Sequence, residues 1–194
     1  MTMTLRKGGN LSLSKQDPGL TRALIALGWD ARSTNGAEFD LDASAFLLDG
    51  NGKIYGTGEQ SFVFYNNLAT PDQTVTHTGD NRTGDGDGDD EQIVVQLNRI
   101  PAAVQKIAVT VTIHDGQVRR QSFGQVSNAF IRIVNDETQR EVARFDLTED
   151  SSTETAMIFA ELYRYGSEWK LRAVGQGWQG GLKAMCDNYG LNIS

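Results

Sequence analysis

The stretch IAVTVTIH at residues 107–114 alternates with a period of two. Ile107, Val109, Val111 and Ile113 fall on one face of an extended chain, and Ala108, Thr110, Thr112 and His114 on the other. Rich in β-branched residues, it predicts a strand with one face in a core. The signature recurs outward from there. Residues 93–97 form a strand closed by Arg99-Ile100-Pro101, and 11–13, 24–29 and 62–65 form three more upstream. Residues 45–48 and 53–55 flank Asp49-Gly50-Asn51-Gly52, a hairpin turn signal because Asn and Gly tolerate positive φ. Downstream, 129–134 and 141–145 flank Asn135-Asp136-Glu137, and 157–165 and 169–174 flank Gly166-Ser167. Residues 182–188, with Gly180-Gly181 before and Gly190 after, predict a short terminal helix. About ten strands with few helices predict an all-β chain, a two-sheet β-sandwich in one domain over 1–194.

Between these strands lies GDNRTGDGDGDDE at residues 79–91, with six carboxylates against the single cation Arg82. Like charges at that density need a cation or free exposure to solvent. Gly84, Gly86 and Gly88 let the backbone wrap its carbonyls inward. Oxygen donors without thiol or imidazole suit a hard cation, so a calcium loop stands beside a solvated acidic linker as the two readings. The chain carries a net charge of −7, but without these residues and Asp30, Asp40 and Asp42 the remainder is +1. The negative charge is therefore local, and no basic footprint for nucleic acid exists.

Asp40 and Asp42, two apart in an extended segment, point to one side, leaving Leu41 to offer its carbonyl. Asp30, Asn66 and Asn67 each end a strand and offer further oxygens, although turn-forming aspartates and asparagines are common in such places. An EF-hand does not fit. Counted from Asp85, the sixth position is Asp90 rather than glycine and the twelfth is Gln96 rather than glutamate. His77 and His114 are the only histidines, and Cys186 is the only cysteine, so thiolate zinc clusters and internal disulfides are excluded. No GxSxG elbow accompanies His114-Asp115. The N-terminal residues show no apolar signal region and no run suits a membrane span, which predicts a cytoplasmic protein without membrane insertion. Arg119-Arg120, beside Phe123, reads either as solvated arginines or as a contact patch for an anionic partner.

The segments ALGWDARSTNG, FDLDASAFLL, THTGDNRTGDGDGDDE, VTIHD, RRQSFGQVSNAFIRIVND and ARFDLTEDSSTETAMIFAELYRYGSEWK together resemble the TerD family of tellurite-resistance and stress proteins across nearly the whole chain. The resemblance implies a sandwich that binds calcium through acidic loops, with two ions expected. On the family motif, Asp30, Asp40, Leu41, Asp42, Asn66, Asn67, Asp80, Asn81, Gly84, Asp85, Asp87, Asp89, Asp90 and Glu91 form the calcium region. Where family members commonly read GEGDGDDE, this chain has Asp85 in place of the glutamate, a shorter arm. The resemblance further implies a non-enzymatic stress protein whose partners are related Ter proteins, a membrane-associated assembly being one expected setting. The alternative is a metal-dependent hydrolase or an anion- or nucleotide-binding protein using the calcium-loaded loops.

Overall fold

A computed structural model describes residues 2–30, 38–79, 88–147 and 153–192. Two six-stranded sheets face each other. The first has the order β1 (Met3–Leu5), β10 (Arg140–Asp146), β9 (Phe130–Asn135), β3 (Arg22–Gly28), β7 (Glu91–Gln96), β6 (Val75–His77). The second runs β2 (Asn10–Ser12), β12 (Glu168–Trp178), β11 (Ala156–Tyr165), β8 (Lys106–Ile113), β4 (Leu41–Leu48), β5 (Phe62–Val63). Every described pairing is antiparallel except that of β1 with β10. Among the described residues there are four α-helices, α1 (Leu13–Gln16), α2 (Gly58–Ser61), α3 (Gly116–Arg119) and α4 (Gly181–Tyr189), and one 3₁₀ turn at Phe123–Gln125.

The core between the sheets is what the alternation predicts. Ile107, Val109, Val111 and Ile113 of β8 meet Leu41, Ala43, Ala45 and Leu47 of β4, Ile25 and Leu27 of β3, and Ile131 and Ile133 of β9. The opposite face of β8 is also buried, with Thr110 at 0% exposure. It lies on a second apolar cluster in which Met185, Cys186 and Tyr189 of α4 cover Phe46, Leu48, Phe62 and Ala108. The second sheet is therefore sandwiched on both sides, which alternation alone, reading Thr and Ser as solvent-facing, does not reveal.

Three expectations change. Residues 53–55 form no strand, only a bridge from Ile54 to Leu48, because the Asp49 carboxylate accepts from the Asn51 and Lys53 amides and tightens the turn. The first predicted strand stops at Ser12, whose hydroxyl caps α1 by accepting from the Lys15 amide. The strand expected over 62–65 keeps only Phe62–Val63, because the chain turns back at once, Phe64 and Asn67 pairing and the Asn67 side chain donating to the Phe62 carbonyl. The short edge strands β1 and β6 were not legible from their three-residue patterns.

Candidate metal centre

The candidate residues gather where β3 and β8 end and β4 and β7 begin. Register fixes this end: Leu41 lies opposite Ile113 and Asp42 opposite Thr112, while Glu91 lies opposite Leu27. The two sheets are fastened there by one side chain. The Glu91 carboxylate, 1% exposed, accepts a hydrogen bond from the Ala43 amide of β4, so the close of the acidic run touches the FDLD strand directly. Glu91 faces inward because Ile93 and Val95, at the same phase of β7, are core residues.

Asp90 also has a defined task. Its Oδ2 accepts from the Trp29 amide at 2.9 Å, and its own amide donates to the Leu27 carbonyl at 2.8 Å. The end of β3 and the end of the acidic run are thus laced together. Gly28 sits in this lacing, where a Cβ would lie 2.4 Å from the Phe130 ring and 2.9 Å from the Gly88 carbonyl. Only glycine lets the two segments approach so closely. Asp40 is buried at 8% exposure, and its carbonyl accepts from the His114 amide at 2.8 Å.

Not every candidate joins this group. Asp89 turns to the outer face of the first sheet, where Arg132 Nε and a terminal guanidinium nitrogen donate to its two oxygens at 2.7 and 2.8 Å. That ion pair, with Glu141 behind it, pushes the Arg132 pKa well above its ordinary value, the Asp89 hydrogen bond being the largest cause. Asp42 shares the outer face of the second sheet with Thr112, and its Oδ2 lies 3.7 Å from His114 Nδ1. There it lines a cavity of about 360 Å³ with Tyr65, Thr112, His114, Val118 and Leu182. The Leu41 side chain is wholly in the core; the oxygen expected of Leu41 is its backbone carbonyl, at the start of β4. Asp30 is exposed and its carboxylate accepts from the Asn128 amide side chain.

Asn67 spends its amide nitrogen on the Phe62 and Glu59 carbonyls at 2.6 and 3.3 Å, closing a corner; Asn66 is exposed beside it. Asp80, Asn81, Gly84, Asp85 and Asp87 lie outside the described residues. Among the described residues, no three Asp, Glu, His or Cys side chains converge to hold an ion.

Sequence reasoning passed over two participants. His77 is 5% exposed; its Nδ1 accepts from the Gly79 amide at 3.1 Å, and its Nε2 lies 3.5 Å from Glu91. The period-two run Val75-Thr76-His77 was the available signal, hidden by its shortness. Arg132 was equally visible, as the lone cation within the apolar strand FIRIVN. The two nitrogens of His114 face Asp42 at 3.7 Å and Asp115 at 3.6 Å. The carboxylates described at this end, Asp30, Asp40, Asp42, Asp89, Asp90 and Glu91, are hard oxygen donors of the kind that suits calcium better than zinc or copper.

A TerD domain model matches residues 1–189. The chain belongs to the TerD family. It is 63% identical over 194 residues to the tellurium resistance protein TerD of Serratia marcescens, with all of both chains covered. It is 50% identical over the same span to general stress protein 16U of Bacillus subtilis, again with complete coverage. Among solved structures, SAV2460, a protein of unknown function, superposes with a TM-score of 0.72 at 23% identity, covering 90% of this chain and 99% of the other. A TerD homologue from Streptomyces coelicolor gives a TM-score of 0.65 at 23% identity over 86% of this chain and 95% of its own. At that identity the likeness concerns the sandwich alone. No helix of this TerD-family chain is long and apolar enough, among the described residues, to cross a membrane.

Proposed function

We propose that this TerD-family chain is a calcium-binding, non-enzymatic protein of a cytoplasmic tellurium-resistance or stress system. The observation carrying this reading is the pair of hydrogen bonds that the Ala43 amide donates to Glu91 and the Trp29 amide donates to Asp90. They bring the end of the acidic run against FDLD, so that carboxylates far apart in sequence share one end of the molecule. A divalent ion there would take Asp40 and Asp90 together with oxygens of residues 80–87. It would cancel carboxylate repulsion, and its binding energy would order the loops. The burial of Cys186, the only cysteine, supports binding over thiol-based turnover.

A separate observation supports a partner surface. Val118, 83% exposed, stands at the tip of α3 with Arg119 and Arg120 exposed beside it. Asp115 and Arg120, both with positive φ, bound the turn, and Gln121 ties it to the Glu38 carbonyl at 3.1 Å. An exposed apolar residue followed by two exposed cations suits an acidic protein partner, and related Ter proteins, in a membrane-associated assembly, are the partners proposed. The direct test is titration calorimetry of calcium on metal-stripped protein with magnesium as competitor. Saturable binding at or below about 10⁻⁵ M, the range of sensor sites, supports the reading. Silence at millimolar calcium refutes it.

A further inference from the structure

The acids that close the run, Asp89, Asp90 and Glu91, leave the backbone in three directions. Glu91 goes inward to Ala43, Asp90 to the Trp29 amide, and Asp89 outward to Arg132. We infer that Asp89 is not a metal ligand but an anchor: Arg132 of β9 clamps it against the sheet and so positions the foot of the acidic segment for calcium. This rests on the calcium reading above.

The geometry is that of a two-point clamp. Arg132 Nε donates to Oδ1 at 2.7 Å and a terminal nitrogen to Oδ2 at 2.8 Å; Gln92 Nε2 adds a third donor to Oδ2 at 3.3 Å. The Asp89 side chain is only 6% exposed, so the pair is poorly screened. The remaining guanidinium nitrogen donates to Glu141 at 3.1 Å, which fixes the fork from behind. Ala26, the register partner of Arg132 on β3, is too small to crowd it. A planar fork matching a carboxylate at two points is a stronger and more directional contact than an ammonium could make.

Two consequences bear on the metal. Arg132 neutralises one carboxylate without an ion, reducing repulsion in the metal-free state. An ion taking Asp89 would have to compete with three donors for its two oxygens and would bring a second positive charge beside the guanidinium. Asp89 holds its place whether or not calcium is present, and that place fixes where Asp90 and Glu91 begin.

The test uses the purified full chain, calcium calorimetry and thermal unfolding on four variants: Arg132→Gln, Arg132→Lys, Asp89→Asn, and the charge exchange Asp89→Arg with Arg132→Asp. Loss of an outer positioning contact typically costs about 10- to 100-fold in metal affinity. Arg132→Gln and Asp89→Asn are each expected to weaken calcium binding within that range. Arg132→Lys, which keeps charge but loses the fork, is expected to fall between. The exchange is expected to recover most of the affinity, which no ligand role for Asp89 allows. If Arg132→Gln tightens binding, or if the exchange abolishes it while Arg132→Gln is mild, Asp89 is a ligand and the inference is overturned. If the variants shift only the unfolding temperature and leave calcium affinity unchanged, the clamp is structural alone and the inference equally fails. Should the exchange not fold, the Arg132 variants decide: weakening in Arg132→Gln with a smaller loss in Arg132→Lys supports the anchor, and tightening or no change in Arg132→Gln overturns it. Wild-type protein that ignores calcium sinks the calcium reading itself, and this inference with it.

Discussion

At the scale of single residues, Glu91 ties sequence to architecture most directly. A glutamate opening a strand otherwise spent on the core would ordinarily be an error in the pattern. Here it accepts from the Ala43 amide and sits 3.5 Å from His77 Nε2, with both side chains at most 1% exposed. Glu91→Ala would leave a buried amide without its acceptor, a loss of about 1–3 kcal/mol, plus the cavity. Urea unfolding should therefore show a clear drop in midpoint for Glu91→Ala and a smaller one for Glu91→Gln, which keeps an acceptor oxygen. Equal midpoints for the three proteins would show that the inter-sheet contact carries no stability. From sequence, Glu91 was readable as one acid among six, because composition marks charge but not direction. Asp89 and Asp90 share that ambiguity. Adjacent residues of one chemistry were sent to three partners by Gly88, at φ +122°, and by the start of β7, neither of which spacing alone resolves.

Among elements, α4 was legible at both ends. Gly180 and Gly190 bound it in left-handed conformations, and Gly190 and Leu191 return hydrogen bonds to Asp187 and Cys186. What the helix covers was not legible. Ser44 and Thr110 mark a polar phase on β4 and β8, yet Phe46 stacks on Phe62 at 4.4 Å and meets Tyr189 at 4.8 Å on that same face. Burial pushes the Cys186 thiol up to about 11 and the Tyr189 hydroxyl up to about 12. Each group is thus protonated in the folded chain over a range where the unfolded chain has released its proton. As pH climbs from about 9 to 11 for Cys186, and from about 10 to 12 for Tyr189, the unfolded state binds fewer protons and stability falls. Below pH 9 neither group contributes a pH dependence. Unfolding midpoints measured from pH 7 to 11 should be flat to about pH 9 and decline above it. A thiol reagent at pH 7.5 should modify Cys186 only at the rate of α4 opening; immediate labelling would contradict the buried thiolate-poor site.

At the scale of the whole molecule, the sandwich and the acidic end depend on different physics. The sheets are held by apolar contacts among residues such as Ile25, Leu47, Ile107, Val109, Ile133 and Phe159, none of which involves an ion. That half of the fold was open to pattern reading, since period-two alternation reports burial directly. The acidic end joins segments distant in the chain, Trp29 with Asp90 and Ala43 with Glu91, through single hydrogen bonds that no local pattern encodes. The acidic run was visible in the sequence as a crowd of carboxylates, but which way each of Asp89, Asp90 and Glu91 turns was not. Chelation should therefore split the molecule's behaviour. On adding a calcium chelator to loaded protein, amide exchange is expected to accelerate at residues 38–40, 77–79 and 88–91, while the amides of β8, β9 and β11 keep their protection. The Trp29 and Ala43 amides are the sharpest probes: the first is bonded to Asp90, the second to Glu91, and loosening of the acidic end must free the first before the second, because only Glu91 is fully enclosed between the sheets. Uniform acceleration through the core strands would mean that the ion stabilises the entire sandwich, and the division between an apolar scaffold and a metal-ordered end would be wrong.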